Sequence, residues 1–211
     1  NFGYNPPRTL NALAFVVHSA EGHGDPPPRF YDGSSASAHF WNRADGRLYQ
    51  LVELNQCAWA NGQLNRLDDG RKAPTLVQSW YLSRTNPNWN TVSMEHEGVA
   101  GEPLTPAQLA NTINVARWLE SHGLRLSAQN LLQHCDISAT SCPSHRIPIA
   151  TVLSAIHQEG PVNDDDKKQL DELNAAMVKR FAIIAVASGT DADGYAKMLA
   201  AYDALKAKGL V

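Results

Sequence analysis

Ala12-Leu13-Ala14-Phe15-Val16-Val17-His18 is an apolar run that ends in a histidine. A short continuous run that is rich in β-branched and aromatic residues predicts a buried β-strand. The strand would leave His18 at its C-terminal mouth, where the chain continues as Ser19-Ala20-Glu21-Gly22. This stretch therefore predicts a polar, chemically competent residue at one end of a buried sheet.

A second stretch sets a histidine and a cysteine eight residues apart around a short loop, His134-Cys135-Asp136-Ile137-Ser138-Ala139-Thr140-Ser141-Cys142-Pro143. Imidazole nitrogen and thiolate are both good zinc donors, and a loop closed by Pro143 can turn both side chains toward one point. His18 is the best candidate for a third donor, although the other histidines mean that counting alone does not fix it. Two histidines and one cysteine leave the fourth tetrahedral position open for water, which is typical of catalytic zinc.

The composition bounds the fold class and the partners. With 211 residues, 43% of them hydrophobic, the chain can form one good-sized domain and a small appendage. A net charge of -3 gives no basic field, so neither nucleic acid nor a membrane is expected as a partner. No apolar run approaches the roughly 20 residues of a membrane span, and no signal peptide is evident at the N-terminus.

The cysteine count is odd, with Cys57, Cys135 and Cys142, so a full disulfide framework is excluded. If Cys142 binds metal, Cys57 and Cys135 are left either to pair or to remain reduced. The sequence does not decide between these two states.

The composition changes at a turn followed by an acidic run, Gly160-Pro161-Val162-Asn163-Asp164-Asp165-Asp166. We therefore predict a main domain over residues 1–160 and a tail over residues 161–211. Within the main domain, strands are predicted at Ala12–His18, Arg47–Leu54 and Thr91–Glu97. Period two in the last of these puts Ser93, Glu95 and Glu97 on one face of the strand.

Two helices are predicted in the second half of the main domain. Thr105 and Gln108 form a capping pattern around Pro106, opening a helix that Gly123 ends. Its apolar stripe is expected to be Leu109, Ile113, Ala116 and Leu119. A second helix is expected from Ile149 to His157. Strands interspersed with helices predict an α/β fold with a central mixed β-sheet flanked by helices.

The tail is predicted to form a small helical hairpin, with helices from Lys167 to about Ala187 and from Ala192 to Lys208. Such a hairpin cannot bury both of its apolar stripes alone. We expect it to dock on the main domain, to form a homo-oligomer with another copy, or to bind a partner.

Five blocks of sequence occur in an order that resembles one enzyme family. They are Val16 to Gly22, Ser37 to Asn42 with Asp45 to Val52, Trp59 to Gly62, Asn90 to Glu95, and the loop from His134 to Pro143. The chain resembles the zinc-dependent N-acetylmuramoyl-L-alanine amidases of the type-2 amidase family. This family includes phage endolysins, bacterial autolysins and animal peptidoglycan recognition proteins. The resemblance covers about residues 10 to 158 and leaves the tail unexplained, so that wall anchoring and dimerisation are both open for residues 161–211.

The resemblance implies roles for particular residues. His18, His134 and Cys142 match the family's zinc ligands. Glu95 matches a glutamate that acts as general base on the zinc-bound water in many members. Thr140 matches a position that helps to hold the oxyanion.

Other positions match the lining of the cleft, and two depart from the family. The resemblance implies that His39, Trp59, Asn61 and Gly62 line or shape the substrate groove, although His39 is equally well read as a core residue. Ala38 stands where some phage enzymes have a catalytic tyrosine, which shifts the expected burden to Glu95. Ala60 stands where many relatives have histidine. Asp136 either orients His134 or stabilises a turn.

The resemblance implies zinc-dependent hydrolysis of the amide bond between N-acetylmuramic acid and L-alanine in bacterial peptidoglycan. The implied setting is that of a phage endolysin, which accumulates in the host bacterial cytoplasm before acting at the cell wall. Two alternatives remain open at this stage. One is a metal-free hydrolase in which Cys142 or Cys135 is a nucleophile paired with His134, and the other is a module that recognises peptidoglycan without cutting it.

Overall fold

Five strands form one sheet in the computed structural model. The strands are β1 (Ala14–Ser19), β2 (Phe40–Asn42), β3 (Leu48–Gln50), β4 (Thr91–His96) and β5 (Leu131–Gln133). They lie in the order β3-β2-β4-β1-β5. β1 is parallel to both β4 and β5, β2 is parallel to β4, and β3 is antiparallel to β2. The mixed sheet expected from the sequence is confirmed.

The structure describes residues 12–32, 36–62, 64, 73–158, 168 and 172. The α-helices among these residues are α1 (Arg29–Asp32), α2 (Thr75–Ser83), α3 (Pro106–Ser121), α4 (His134–Ile137) and α5 (Ile149–Gln158), and a 3-10 helix spans Pro87–Asn90. On one face of the sheet, Val77 and Trp80 of α2 join a core cluster with Val16 and Leu132. On the other face, α3 packs against β2 and against α5. The helices that were expected to flank the sheet are thus present.

The helix α3 confirms the predicted start and corrects the predicted stripe. The Thr105 hydroxyl accepts a hydrogen bond from the Gln108 backbone N–H, and the Gln108 side chain accepts one from the Thr105 N–H, which forms a capping box. However, Gln108 and Thr112 are buried, whereas the expected Leu109 is only half-buried. The reason is that the Gln108 amide donates to the carbonyl oxygens at the sheet edge, so burial follows hydrogen bonding as well as apolar character.

The predicted strand Arg47–Leu54 is shortened to Leu48–Gln50, because its antiparallel ladder ends opposite Phe40, the first residue of β2. The elements that were not predicted are β2, β5, α1, α2, α4 and the 3-10 helix. The chain divides into two compact units, Asn1–Asn163 and Asp164–Val211. The predicted helical hairpin lies outside the described residues apart from Lys168 and Glu172, and it stays a prediction. Among the described residues, no helix is long and apolar enough to cross a membrane.

Candidate metal centre and active site

Strand register brings three titratable side chains to one edge of the sheet. His18 of β1 is paired in register with Glu95 of β4. On the other side of β1, Val17 is paired with Gln133, the last residue of β5, and His134 follows immediately. Adjacent strands lie about 4.8 Å apart, so a row of residues in register forms a single cluster.

The two histidines and Cys142 form a donor set for a metal ion. One ligand atom from each of His18, His134 and Cys142 lies within 4.8 Å of the others. The Nδ1 atom of His18 is 4.0 Å from the Cys142 Sγ. Two donors that bind one zinc at about 2.0 and 2.3 Å can be up to about 4.3 Å apart, so this separation suits a shared ion. The structure therefore brings together the three residues matched to ligands from the sequence.

Backbone contacts hold the Cys142 loop against β1. The Ser19 N–H donates to the Cys142 Sγ at 3.3 Å, and the Cys135 N–H donates to the Cys142 carbonyl at 2.8 Å. The Cys142 N–H donates to the hydroxyl of Thr140 at 3.2 Å. Thr140 therefore lies in the same loop as Cys142, two residues before it. Since its hydroxyl oxygen accepts from the Cys142 N–H, its hydroxyl hydrogen remains available to another acceptor.

Burial sets the protonation state of the donors. It lowers the pKa of His18 well below 6.5, with a further lowering from His134, and it also lowers the pKa of His134. Burial raises the pKa of the Cys142 thiol to about 12. Both imidazoles are therefore neutral at pH 7, the form that binds a metal, while the thiol must lose a proton to bind one.

The same values bear on the metal-free alternative. A nucleophilic cysteine needs a lowered pKa, which a protonated histidine or another positive charge provides. Here Cys142 has a raised pKa and its neighbouring histidines are neutral. The environment of Cys142 therefore does not favour an activated nucleophile.

Glu95 is the buried carboxyl group beside the donors. Its Oε1 lies 3.9 Å from the His18 Nδ1, and its side chain is about 11% exposed. Its Oε2 is buried and has no hydrogen-bond partner among the described residues. Burial raises the pKa of Glu95 to about 8. A carboxyl group with a pKa near neutrality, aimed at a donor set, has the properties of a general acid or base.

His39 and Asn61 are both fully buried, although the resemblance implied a place in the groove for each. The Ser93 N–H donates to the Nδ1 of His39 at 3.0 Å, and the Nε2 of His39 donates to the Gln56 carbonyl at 3.1 Å. His39 thus joins β2 to β4 within the core. The Asn61 amide oxygen accepts from His18 Nε2 at 3.1 Å. Asn61 therefore lies behind the candidate ligands and not at the groove surface.

Gly62 and Trp59 are both accessible to solvent, in contrast to His39 and Asn61. Gly62 is exposed with φ of 61°, and a Cβ added there would stand 4.0 Å from the His134 Nε2. Trp59 is half-exposed, and its backbone pairs with Ser37. Their roles in substrate binding stay predictions.

Asp136 resolves one alternative left open by the sequence. Its Oδ2 accepts from the Gln133 N–H at 2.8 Å, which caps the start of α4. The His134 Nε2 instead donates to the Asn61 carbonyl at 3.2 Å. Asp136 therefore stabilises the turn, and the contact that orients His134 comes from a residue 73 positions away.

Arg146 is a functional candidate that the sequence analysis missed. Its guanidinium is buried and donates to the Ser19 hydroxyl at 2.8 Å, to the Glu97 carbonyl at 2.9 Å and to the Glu102 carbonyl at 2.7 Å. It joins the loop that follows Cys142 to the ends of β1 and β4. No local pattern marks this residue, because all of its partners are more than forty positions away.

The fold and the cluster define an α/β protein with a metal-type donor set beside a buried carboxyl group. The sequence model of the N-acetylmuramoyl-L-alanine amidases matches residues 8–145, which is more than half of the chain. The chain therefore belongs to the N-acetylmuramoyl-L-alanine amidase family. A comparison of the sequence with curated proteins found no match.

Solved structures share the fold at low sequence identity. AmpD, in its selenomethionine form, aligns with a TM-score of 0.54 and 20% identity over 74% of this chain and 97% of its own. The endolysin and N-acetylmuramoyl-L-alanine amidase LysCS from Clostridium intestinale aligns with a TM-score of 0.52 and 18% identity, over 74% and 91%. The Ph2119 endolysin of a Thermus scotoductus bacteriophage aligns with a TM-score of 0.51 and 15% identity, over 74% of this chain and 91% of its own. These similarities confirm the fold, which is the central sheet with its flanking helices.

Proposed function

We propose that the protein is a zinc-dependent amidase that hydrolyses the bond between N-acetylmuramic acid and L-alanine in peptidoglycan. Membership of the amidase family supports a peptidoglycan amidase activity. The observation that carries the proposal is the convergence of His18, His134 and Cys142 beside the buried Glu95. Bacterial peptidoglycan is accordingly the proposed partner.

The residues present suit zinc. Two neutral imidazoles and one thiol, which becomes a thiolate on binding, are donors of the kinds that zinc prefers. The Oε2 of Glu95 has no hydrogen-bond partner among the described residues, and leaving a buried carboxyl oxygen without one is costly. This supports a site that binds a non-protein group, such as a metal-bound water or the substrate, within reach of this oxygen. When bound, zinc would supply Lewis acidity and would lower the pKa of water toward about 7.

We assign the proton-handling step to Glu95 and a positioning role on the carbonyl side to Thr140. Glu95 Oε2 would take a proton from the attacking water and pass it to the leaving amine of L-alanine. Glu95 must be ionised to accept this proton, and its raised pKa makes the carboxylate a stronger base than an exposed one. The Thr140 hydroxyl lies in the Cys142 loop, from which it would donate to the developing oxyanion.

The substrate groove is proposed to run past Gly62. A cavity of about 580 Å³ begins at Gly62 and is lined further by Tyr81, Leu82, Arg84 and Asn86. Its combination of aromatic, aliphatic and polar groups suits a sugar ring or a peptide stem. Trp59 would contribute an aromatic face from the neighbouring segment.

The test is release of L-alanine amino termini from purified peptidoglycan, with zinc measured on the same sample. We expect about one zinc per chain, loss of release after chelation and recovery when zinc returns. Bound zinc without release on several wall types would favour a recognition module and contradict the amidase proposal. Release that persists in the fully metal-free protein would contradict the zinc dependence.

The endolysin role is a further part of this proposal. Two structures of the same fold are named endolysins, which supports action on the cell wall. A phage enzyme that accumulates in the host cytoplasm would lyse cells only after access to the wall. Expression inside a bacterium should therefore be tolerated, while permeabilising the membrane should cause rapid loss of turbidity; lysis without permeabilisation would contradict this role.

A further inference from the structure

Asn61 contacts both candidate histidine ligands, one through its side chain and one through its backbone. The His18 Nε2 lies 3.1 Å from the Asn61 Oδ1, and the His134 Nε2 lies 3.2 Å from the Asn61 carbonyl oxygen. The residue is fully buried. A single residue therefore contacts the Nε2 atoms of both imidazoles.

The contact to His134 fixes its tautomer. A carbonyl oxygen only accepts hydrogen bonds, so the His134 Nε2 must carry the hydrogen. The Ser138 hydroxyl donates to the same Asn61 carbonyl at 2.9 Å and helps to hold it in place. A neutral imidazole with hydrogen on Nε2 has its lone pair on Nδ1, which is then the nitrogen available to a metal.

The contact to His18 requires the Asn61 amide to be oriented with its oxygen toward the ring. A chain of donors sets this orientation: the Asn61 Nδ2 donates to the Thr91 hydroxyl at 2.7 Å, and that hydroxyl donates to the Pro87 carbonyl at 3.0 Å. Because the Pro87 carbonyl can only accept, the Thr91 oxygen must accept from the amide nitrogen. The amide oxygen therefore faces His18, whose Nε2 must donate.

The backbone of Asn61 is held as firmly as its side chain. The Asn88 Oδ1 accepts from the N–H groups of Ala60 and Asn61, at 3.1 and 2.9 Å. The position of the amide and of the carbonyl is thus set by the 3-10 helix and the start of β4. This network sets the same tautomer for both histidines before any metal binds.

We propose that Asn61 is a positioning residue that holds His18 and His134 in the Nε2–H tautomer, so that each presents Nδ1 to the metal. The inference rests on the proposed zinc site, and it adds a residue and a ligand atom to it. Partners that fix the second ring nitrogen of a metal-binding histidine typically change metal affinity by about 10- to 100-fold when removed. The same change is expected here for the side chain of Asn61.

The variant Asn61→Leu removes the side-chain contact to His18 and keeps the backbone carbonyl that holds His134. We expect zinc affinity, measured by competition with a chromophoric chelator, to fall about 10- to 100-fold. Asn61→Asp is the matched control, since it retains an acceptor for His18 but loses the amide donor to Thr91. Both variants lose stability, yet only Asn61→Leu should lose zinc affinity.

Long-range ¹H–¹⁵N correlation spectra of the chelator-treated protein near pH 8 give a readout that does not depend on activity. We expect both histidines as Nε2–H tautomers in the wild type, and in Asn61→Leu a mixture for His18 with His134 unchanged. A wild-type His18 in the Nδ1–H form, or equal zinc affinity of Asn61→Leu and wild type, would overturn the inference. Failure of the wild type to bind zinc would instead overturn the metal site, while the tautomers would still decide the role of Asn61.

Discussion

Gly98 follows the end of β4 and is expected to tolerate no side chain, because Arg146 occupies the space that a Cβ would need. A Cβ added at Gly98 would overlap the Arg146 Nη2 and would stand 2.8 Å from Cζ. The φ of Gly98 is 121°, which L-residues rarely adopt. Gly98→Ala therefore combines backbone strain of about 1–3 kcal/mol with an overpacking cost of about 1–3 kcal/mol.

Gly101→Ala separates these two costs. Gly101 also has a positive φ, 88°, but a Cβ added there meets nothing within 4 Å. It should show the backbone cost alone. Gly98→Ala should therefore exceed Gly101→Ala by about 1–3 kcal/mol in the free energy of unfolding.

A double-mutant cycle with Arg146→Met tests the cause. This substitution removes the guanidinium, so Gly98→Ala should then cost about as much as Gly101→Ala, which gives a coupling energy of about 1–3 kcal/mol, the overpacking cost itself. Urea unfolding followed by tryptophan fluorescence reports on the first compact unit, because all of the tryptophans lie within it: Trp41, Trp59, Trp80, Trp89 and Trp118. Additive costs within about 0.5 kcal/mol would refute the reasoning. If Arg146→Met does not fold, Arg146→Lys replaces it.

Three further predictions concern the candidate metal ligands, the buried carboxyl group of Glu95, and the N-terminal cap of α3. Cys142→Ser should lose most bound zinc and amidase activity, whereas Cys135→Ser should retain both; zinc analysis of the two proteins checks this, and equal zinc contents would contradict the ligand assignment. Because burial raises the pKa of Glu95 from 4.5 to about 8, the folded state binds the proton more tightly than the unfolded state, and the metal-free wild type should lose stability as pH rises through this window, by roughly 1 kcal/mol per pH unit. Glu95→Gln has no ionisable group at this position and should not show this loss. Its free energy of unfolding in urea should therefore rise relative to that of the wild type between pH 5 and 7.5. A constant difference between the two proteins would count against the buried carboxyl. Thr105→Ala removes the hydroxyl that caps α3 and should cost about 1 kcal/mol in the same assay, with no change in zinc affinity.

The sequence predicts the elements that have strong local signals. The apolar run of β1, the alternation in β4 and the capping pattern at Thr105 each depend on neighbours within a few positions, and each element is found in the structure. The buried stripe of α3 was predicted incorrectly at Gln108 and Thr112. Their burial depends on hydrogen bonds with other elements, among them Gln108 to the carbonyl of Asn42 and Thr112 to His96. Apolar periodicity carries no information about such contacts.

The candidate site shows the same division. Residue types and the resemblance were enough to single out His18, His134, Cys142 and Glu95. The ability to bind a metal or to transfer a proton is a property of the individual side chain, so it can be recognised from the residue type. The positions of Asn61 and Arg146 relative to them depend on contacts across 43 and 127 residues, respectively. A single sequence gives no measure of which distant residues meet, so groups that orient ligands are harder to predict than the ligands.

Strand order is the step that turns these separate residues into a site. β1 lies between β4 and β5, and all three run parallel, so their C-terminal ends meet at the same edge of the sheet. Register places Glu95 beside His18 on one side of β1, and His134 follows Gln133, the last residue of β5, on the other side. Only Cys142 arrives on a loop, and the Ser19 N–H at the end of β1 holds its sulfur. Rigid strands thus position the carboxyl group and the histidines, which leaves the cysteine loop as the part of the site whose geometry depends on Arg146.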